Sequence, residues 1–127
     1  MNKVGFIGMG NMAKAMAQGF INSKKIDKEN LFAFAPNQEK IKMNAQSIGF
    51  IPVESLIELV RKVDTVIIAC KPYQIEKVLT EIQSELKGKT LISVAAGWVF
   101  ETFNKILKDQ VRIQCVMPNT PSMVGEG

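Results

Sequence analysis

The stretch from Gly5 to Ala13, GFIGMGNMA, leads from an apolar strand through a glycine turn straight into a helix. Gly8, Gly10 and Ala13 stand at the G-x-G-x-x-A spacing that marks a dinucleotide-binding strand-turn-helix unit. Gly8 lets the backbone turn sharply, Gly10 offers no side chain to obstruct a phosphate, and Ala13 lets the first helix approach the first strand. The segment Gly8, Met9, Gly10, Asn11, Met12 and Ala13 would then wrap a pyrophosphate, with unpaired amides and the positive end of the helix dipole facing the anion. A tight strand-to-helix turn also asks for glycine on structural grounds alone, and Asn11 suits an N-cap.

Beyond this turn, strand and helix signals alternate along the chain, the pattern of an α/β fold with a doubly wound, mostly parallel sheet and helices on both faces. Residues 3–8, 31–35, 49–53, 65–70, 90–95 and 111–115 read as strands. Residues 11–22, 38–47 and 55–62 read as helices. A fourth helix carries Ile75, Val78, Leu79, Ile82 and Leu86 on one stripe, with Glu76, Lys77, Glu81 and Glu85 away from it, and Val99, Phe100, Phe103, Ile106 and Leu107 mark a fifth. The apolar run Thr65 to Cys70 fits a central, fully covered strand. Val111, Ile113 and Cys115 alternate with Arg112 and Gln114, which places the last strand at an edge. The combination is that of a Rossmann-type domain spanning residues 1–127.

With 127 residues, 46% of them apolar, the chain is one ordinary domain able to bury a core. The net charge of +4 is spread along the sequence with no arginine cluster and no aromatic platform, which argues against nucleic acid as a partner. No run of apolar residues is long enough for a membrane span, and the start lacks a signal-peptide pattern. Cys70 and Cys115 fall at the ends of expected strands, so a reducing, cytoplasmic compartment is expected, with neither a disulfide nor a metal site. The chain has no histidine, which excludes histidine triads and histidine-bound zinc.

Four segments together resemble the amino-terminal half of pyrroline-5-carboxylate reductases: GFIGMGNMA at 5–13, ACKP at 69–72, SVAAG at 93–97 and MPNTPSMVGEG at 117–127. The resemblance implies NADPH-dependent reduction of a small cyclic imine to proline, by hydride transfer to carbon. It also implies that a second, helical domain, expected outside this chain, forms a homo-oligomer and completes the substrate pocket. Other readings are a reductase related to 3-hydroxyisobutyrate dehydrogenase, and a module that senses NADP(H) without turnover.

At the end of the second strand, where NAD-specific domains place an acid on the ribose 2′-hydroxyl, the chain reads Ala35, Pro36, Asn37. Nothing there repels a phosphate, and Lys40 follows one helical turn on, so NADPH is favoured over NADH. The same residues also make an ordinary turn and helix cap. Ala69, Cys70, Lys71 and Pro72 end a central strand, the edge at which ligands of open α/β sheets bind. Cys70 reads as a small buried hydrophobe. The resemblance assigns Ala95, Ala96 and Gly97 to the nicotinamide side, along with Asn119, and it names no catalytic side chain. Leu56, Trp98 and Cys115 depart from the family pattern, at positions where an asparagine, a smaller residue and an arginine are usual.

Overall fold

Six parallel strands order themselves 3-2-1-4-5-6 in the computed structural model, which describes residues 3–94 and 112–115. The strands are β1 Val4–Ile7, β2 Leu31–Phe34, β3 Ile51–Pro52, β4 Thr65–Ile68, β5 Thr90–Ser93 and β6 Arg112–Cys115. Between them run α1 Asn11–Asn22, α2 Gln38–Ile48, α3 Leu56–Lys62 and α4 Pro72–Ile82. This is the Rossmann strand order, with the reversal between β1 and β4. The expected fifth helix and the loop at 117–127 lie outside the described residues. A short 3-10 turn, Lys28–Asn30, precedes β2 and has no counterpart in the sequence reading.

Alternation along each strand divides the core in two. Val4 and Phe6 of β1, Leu31 and Ala33 of β2 and Ile67 of β4 pack with Ala13 and Ala17 of α1 and Ile41 and Ala45 of α2. Ile7, Phe32, Val66 and Ile68 point to the opposite face, where Leu59 and Val60 of α3 meet Ile75, Leu79 and Ile82 of α4. Helices therefore cover both sides of the sheet, and β4 is buried from Val66 to Ile68. Strand β6 sits at an edge, with Ile113 packed toward the α3 and α4 face.

Gly5 lies directly beneath the α3 side of the core. A Cβ added there would lie 2.9 Å from Leu59 Cδ1 and 3.1 Å from Val63 Cγ1. Gly5→Ala is expected to lower stability by about 1–2 kcal/mol, since both side chains must shift in a packed layer. Urea denaturation measures it.

The strands stop earlier than their apolar runs suggest. Gly8, Ala35, Ala69 and Cys70 lie past the paired segments, although Gly8 N still donates to Phe34 O at 2.8 Å and Ala69 N to Ile7 O at 2.9 Å. Regular pairing ends there as Gly8 turns to a φ of +96° and the chain leaves the strand direction. Pro72, expected at the strand's end, instead opens α4, where its fixed φ and missing N–H are no disadvantage.

Candidate functional site

The turn after β1 is shaped by two glycines with opposite surroundings. Gly8 has φ of +96°, and a Cβ on it would lie 2.9 Å from both Cα and N of Cys70 and 3.0 Å from C of Ala69. The backbone leaving β1 is thus in direct contact with the backbone leaving β4. Gly10 has an ordinary φ of −80°, and a Cβ there would meet nothing within 4 Å. One glycine is required by the fold, while the other faces open space.

Gly10 is also the N-cap of α1, and no side chain caps this helix. The cap is therefore not Asn11, which occupies the first helical position with its side chain exposed. The helical ladder starts with Lys14 N donating to Gly10 O at 2.9 Å, so the amides of Asn11, Met12 and Ala13 have no intrahelical acceptor. The other helices differ. Asn37 Oδ1 accepts from Lys40 N at 3.1 Å to cap α2, and Ser55 Oγ accepts from Glu58 N at 3.1 Å to cap α3. At the start of α4, Lys71 N donates to Gln74 Oε1 at 3.3 Å and Gln74 N donates to Lys71 O at 2.9 Å. Helices α1 and α4 both lack a side-chain cap and an acidic residue in the first turn, but α4 opens with Pro72, which has no N–H, and its Gln74 amide is already paired, so α1 presents the larger set of open amides. That arrangement favours an anion.

In front of this turn lies a cleft of about 590 Å³, within the range of small-molecule sites. Its floor is Ile7, Gly8, Met9 and Gly10. One wall runs from Phe34, Ala35, Pro36 and Asn37 into Lys40, Ile41 and Asn44 of α2. The opposite wall comprises Ala69, Cys70 and Lys71 with Tyr73, Gln74, Lys77, Val78 and Glu81 of α4, and Leu56 projects from the start of α3. The α2 wall is held in place from behind by Gln38 Nε2, which donates to Ala35 O at 2.8 Å.

The structure thus brings together Gly8, Met9, Gly10, Ala35, Pro36, Asn37, Ala69, Cys70 and Lys71 from three separate strand ends. Met9 lines the cleft while its side chain packs into the α1 and α2 core. Asn11, Met12 and Ala13 stand behind the lining. Ala13 is only 1% exposed and fills the contact between α1 and the sheet, and Met12 packs against the same core. Ala95, Ala96, Gly97 and Asn119 lie outside the described residues.

Cys70 is half-buried rather than fully enclosed, because it lines the cleft on one side and touches the α3 and α4 core on the other. Burial pushes its thiol up to about 11, only partly opposed by a backbone hydrogen bond. It is a free thiol that stays protonated and weakly nucleophilic at neutral pH.

Sequence reasoning missed the α4 wall. Tyr73, Lys77 and Glu81 recur every four residues, but the sequence places only Lys77 and Glu81 of these, simply as lying away from the apolar stripe of α4. Among the described residues no group of acidic, cysteine or histidine side chains could hold a metal ion, and no helix is long and apolar enough to cross a membrane.

Residues 3–97 match the family described as NADP oxidoreductase, coenzyme F420-dependent. The chain is 35% identical to the pyrroline-5-carboxylate reductase of Treponema pallidum over 98% of its own length and 48% of that enzyme. Against the Escherichia coli enzyme it is 35% identical over 98% of this chain and 47% of the relative. The crystal structure of the Plasmodium falciparum pyrroline carboxylate reductase with NADP bound superposes with a TM-score of 0.86 at 36% identity, covering 99% of this chain and 45% of that one. The chain spans about half the length of the curated relatives it matches. On its strand order, its glycine turn and these matches, the chain belongs to the NADP oxidoreductase, coenzyme F420-dependent family and corresponds to the amino-terminal domain of pyrroline-5-carboxylate reductases.

Proposed function

We propose that residues 1–127 form the NADPH-binding half of a pyrroline-5-carboxylate reductase, which converts the cyclic imine to proline. The observation that carries this reading is the uncapped start of α1 at Gly10, set in open space beside the backbone contact between Gly8 and the end of β4. These features fit a dinucleotide. Amides of residues 10–13 would hold the diphosphate, and Ala35, Pro36 and Asn37 would flank the adenosine ribose. Ala69, Cys70, Lys71 and Pro72 would border the cofactor across the cleft. Ala95, Ala96, Gly97 and Asn119 are assigned to the nicotinamide side.

When bound, the reduced nicotinamide supplies the hydride. The chain's own contribution is binding and orientation, because a protonated imine is already a good electrophile and needs chiefly a fixed approach to the donor carbon. The grip on the substrate carboxylate and the dimer contacts belong, in this reading, to a following helical domain. Residues 1–127 by themselves are then expected to bind NADPH while turning the imine over slowly. Isothermal titration with NADPH, together with NADPH absorbance in the presence of pyrroline-5-carboxylate, tests both halves. Absence of NADPH binding overturns the reading.

Preference for NADPH over NADH rests on Asn37 and Lys40. The cap of α2 uses Asn37 Oδ1, which leaves its Nδ2 as a donor for a 2′-phosphate, and Lys40 lines the same wall. An aspartate at position 37 keeps the cap, since both residues cap well, but places a carboxylate against that phosphate. Asn37→Asp is therefore expected to leave stability nearly unchanged and to shift the NADPH to NADH affinity ratio by about tenfold toward NADH, as like charges at a partly solvated site would. Titration of wild type and variant with both dinucleotides reads this directly. Equal or tighter NADH binding by the wild type removes the preference.

A further inference from the structure

Resting on the cofactor reading above, we propose that Tyr73 is the stacking platform for the adenine ring of the bound dinucleotide. Three large apolar side chains stand exposed among the described residues, Met43, Ile51 and Tyr73, and of these Tyr73 lines the cleft. It lies on the first turn of α4, where the residue is 78% exposed. A flat apolar group left this open at the rim of a binding cleft gains most when a second flat group covers it.

The position follows from the order of the ligand's parts. With the diphosphate at residues 8–13 and the 2′ edge of the adenosine ribose at Asn37, the base must continue toward the stretch of cleft between Leu56 and α4. There Leu56 and Val78 can contact a ring, beside the polar Gln74, Lys77 and Glu81 of the same wall. Affinity for the base would then come from ring contact, which requires no matched donors or acceptors. Lys77, one turn beyond Tyr73 on the same wall, adds positive charge close to a ligand rich in phosphate.

Isothermal titration of wild type, Tyr73→Ala and Tyr73→Phe with NADPH and with adenosine 2′,5′-bisphosphate tests the assignment. The bisphosphate carries the base and the 2′-phosphate but no nicotinamide. Tyr73→Ala is expected to weaken both ligands by about tenfold, whereas Tyr73→Phe stays within about twofold, because the ring and not the hydroxyl makes the contact. An exposed side chain contributes little to the fold, so thermal unfolding should not move. Four results would overturn the proposal: unchanged affinity in Tyr73→Ala, equal losses in the two variants, a loss confined to NADPH, or no adenosine bisphosphate binding by a wild type that binds NADPH. Failure of the wild type to bind NADPH overturns the cofactor reading itself and this inference with it.

Discussion

Gly8→Ala is expected to destabilise the domain by about 3–5 kcal/mol and to abolish measurable NADPH binding. Two costs act at once. At φ of +96° a side chain is strained wherever it points, and here the added carbon would also sit 2.9 Å from main-chain atoms of Cys70. Backbone cannot swing aside as a side-chain tip can, so relief requires β1 and β4 to separate where Ala69 N donates to Ile7 O. That separation would move the start of α1 away from the cleft. For a domain of ordinary stability the loss is a large fraction of the total. Urea denaturation gives the first quantity and isothermal titration the second. A variant as stable as wild type would show that the contact between the strand ends is not a constraint.

Gly10→Ser is expected to do the reverse to the fold and the same to the ligand. Serine is a favoured N-cap, nothing within 4 Å opposes its Cβ, and its hydroxyl can accept from the amide of Met12 or Ala13. Stability should therefore hold or rise by a few tenths of a kcal/mol. NADPH affinity should fall on the order of a hundredfold, because the hydroxyl takes an amide that a charged oxygen would otherwise use and fills the space in front of it. Opposite signs in the two measurements would locate the anion at the helix terminus. If affinity is retained, the diphosphate does not lie there.

Much of this architecture was legible in the residues. The break at Gly10 and the small Ala13 and Ala17 beside Met12, Met16 and Phe20 fixed both ends of α1 at the observed Asn11 and Asn22. Alternation in Arg112 to Cys115 likewise gave the edge position of β6. Strand ends were less visible, because Ala35, Ala69 and Cys70 extend the apolar runs beyond the last paired residues Phe34 and Ile68. The α4 side of the cleft was hidden for a different reason. Periodicity finds the stripe that faces the core, and Ile75, Leu79 and Ile82 do face it. It does not say which part of the opposite stripe borders solvent and which borders a crevice shared with α2, since that depends on strand order. Leu56 stands where the family resemblance implies an asparagine near the adenosine ribose, and it lines the cleft.

The two-residue strand β3 flanks the sheet on the side of β2. Val53 N, just past it, donates inward to Ala33 O at 2.8 Å, so the residue whose main-chain nitrogen faces outward is Pro52. Proline has no hydrogen to offer there. An incoming segment from another molecule would find an acceptor but no donor at Pro52, which weakens templated strand addition at this flank.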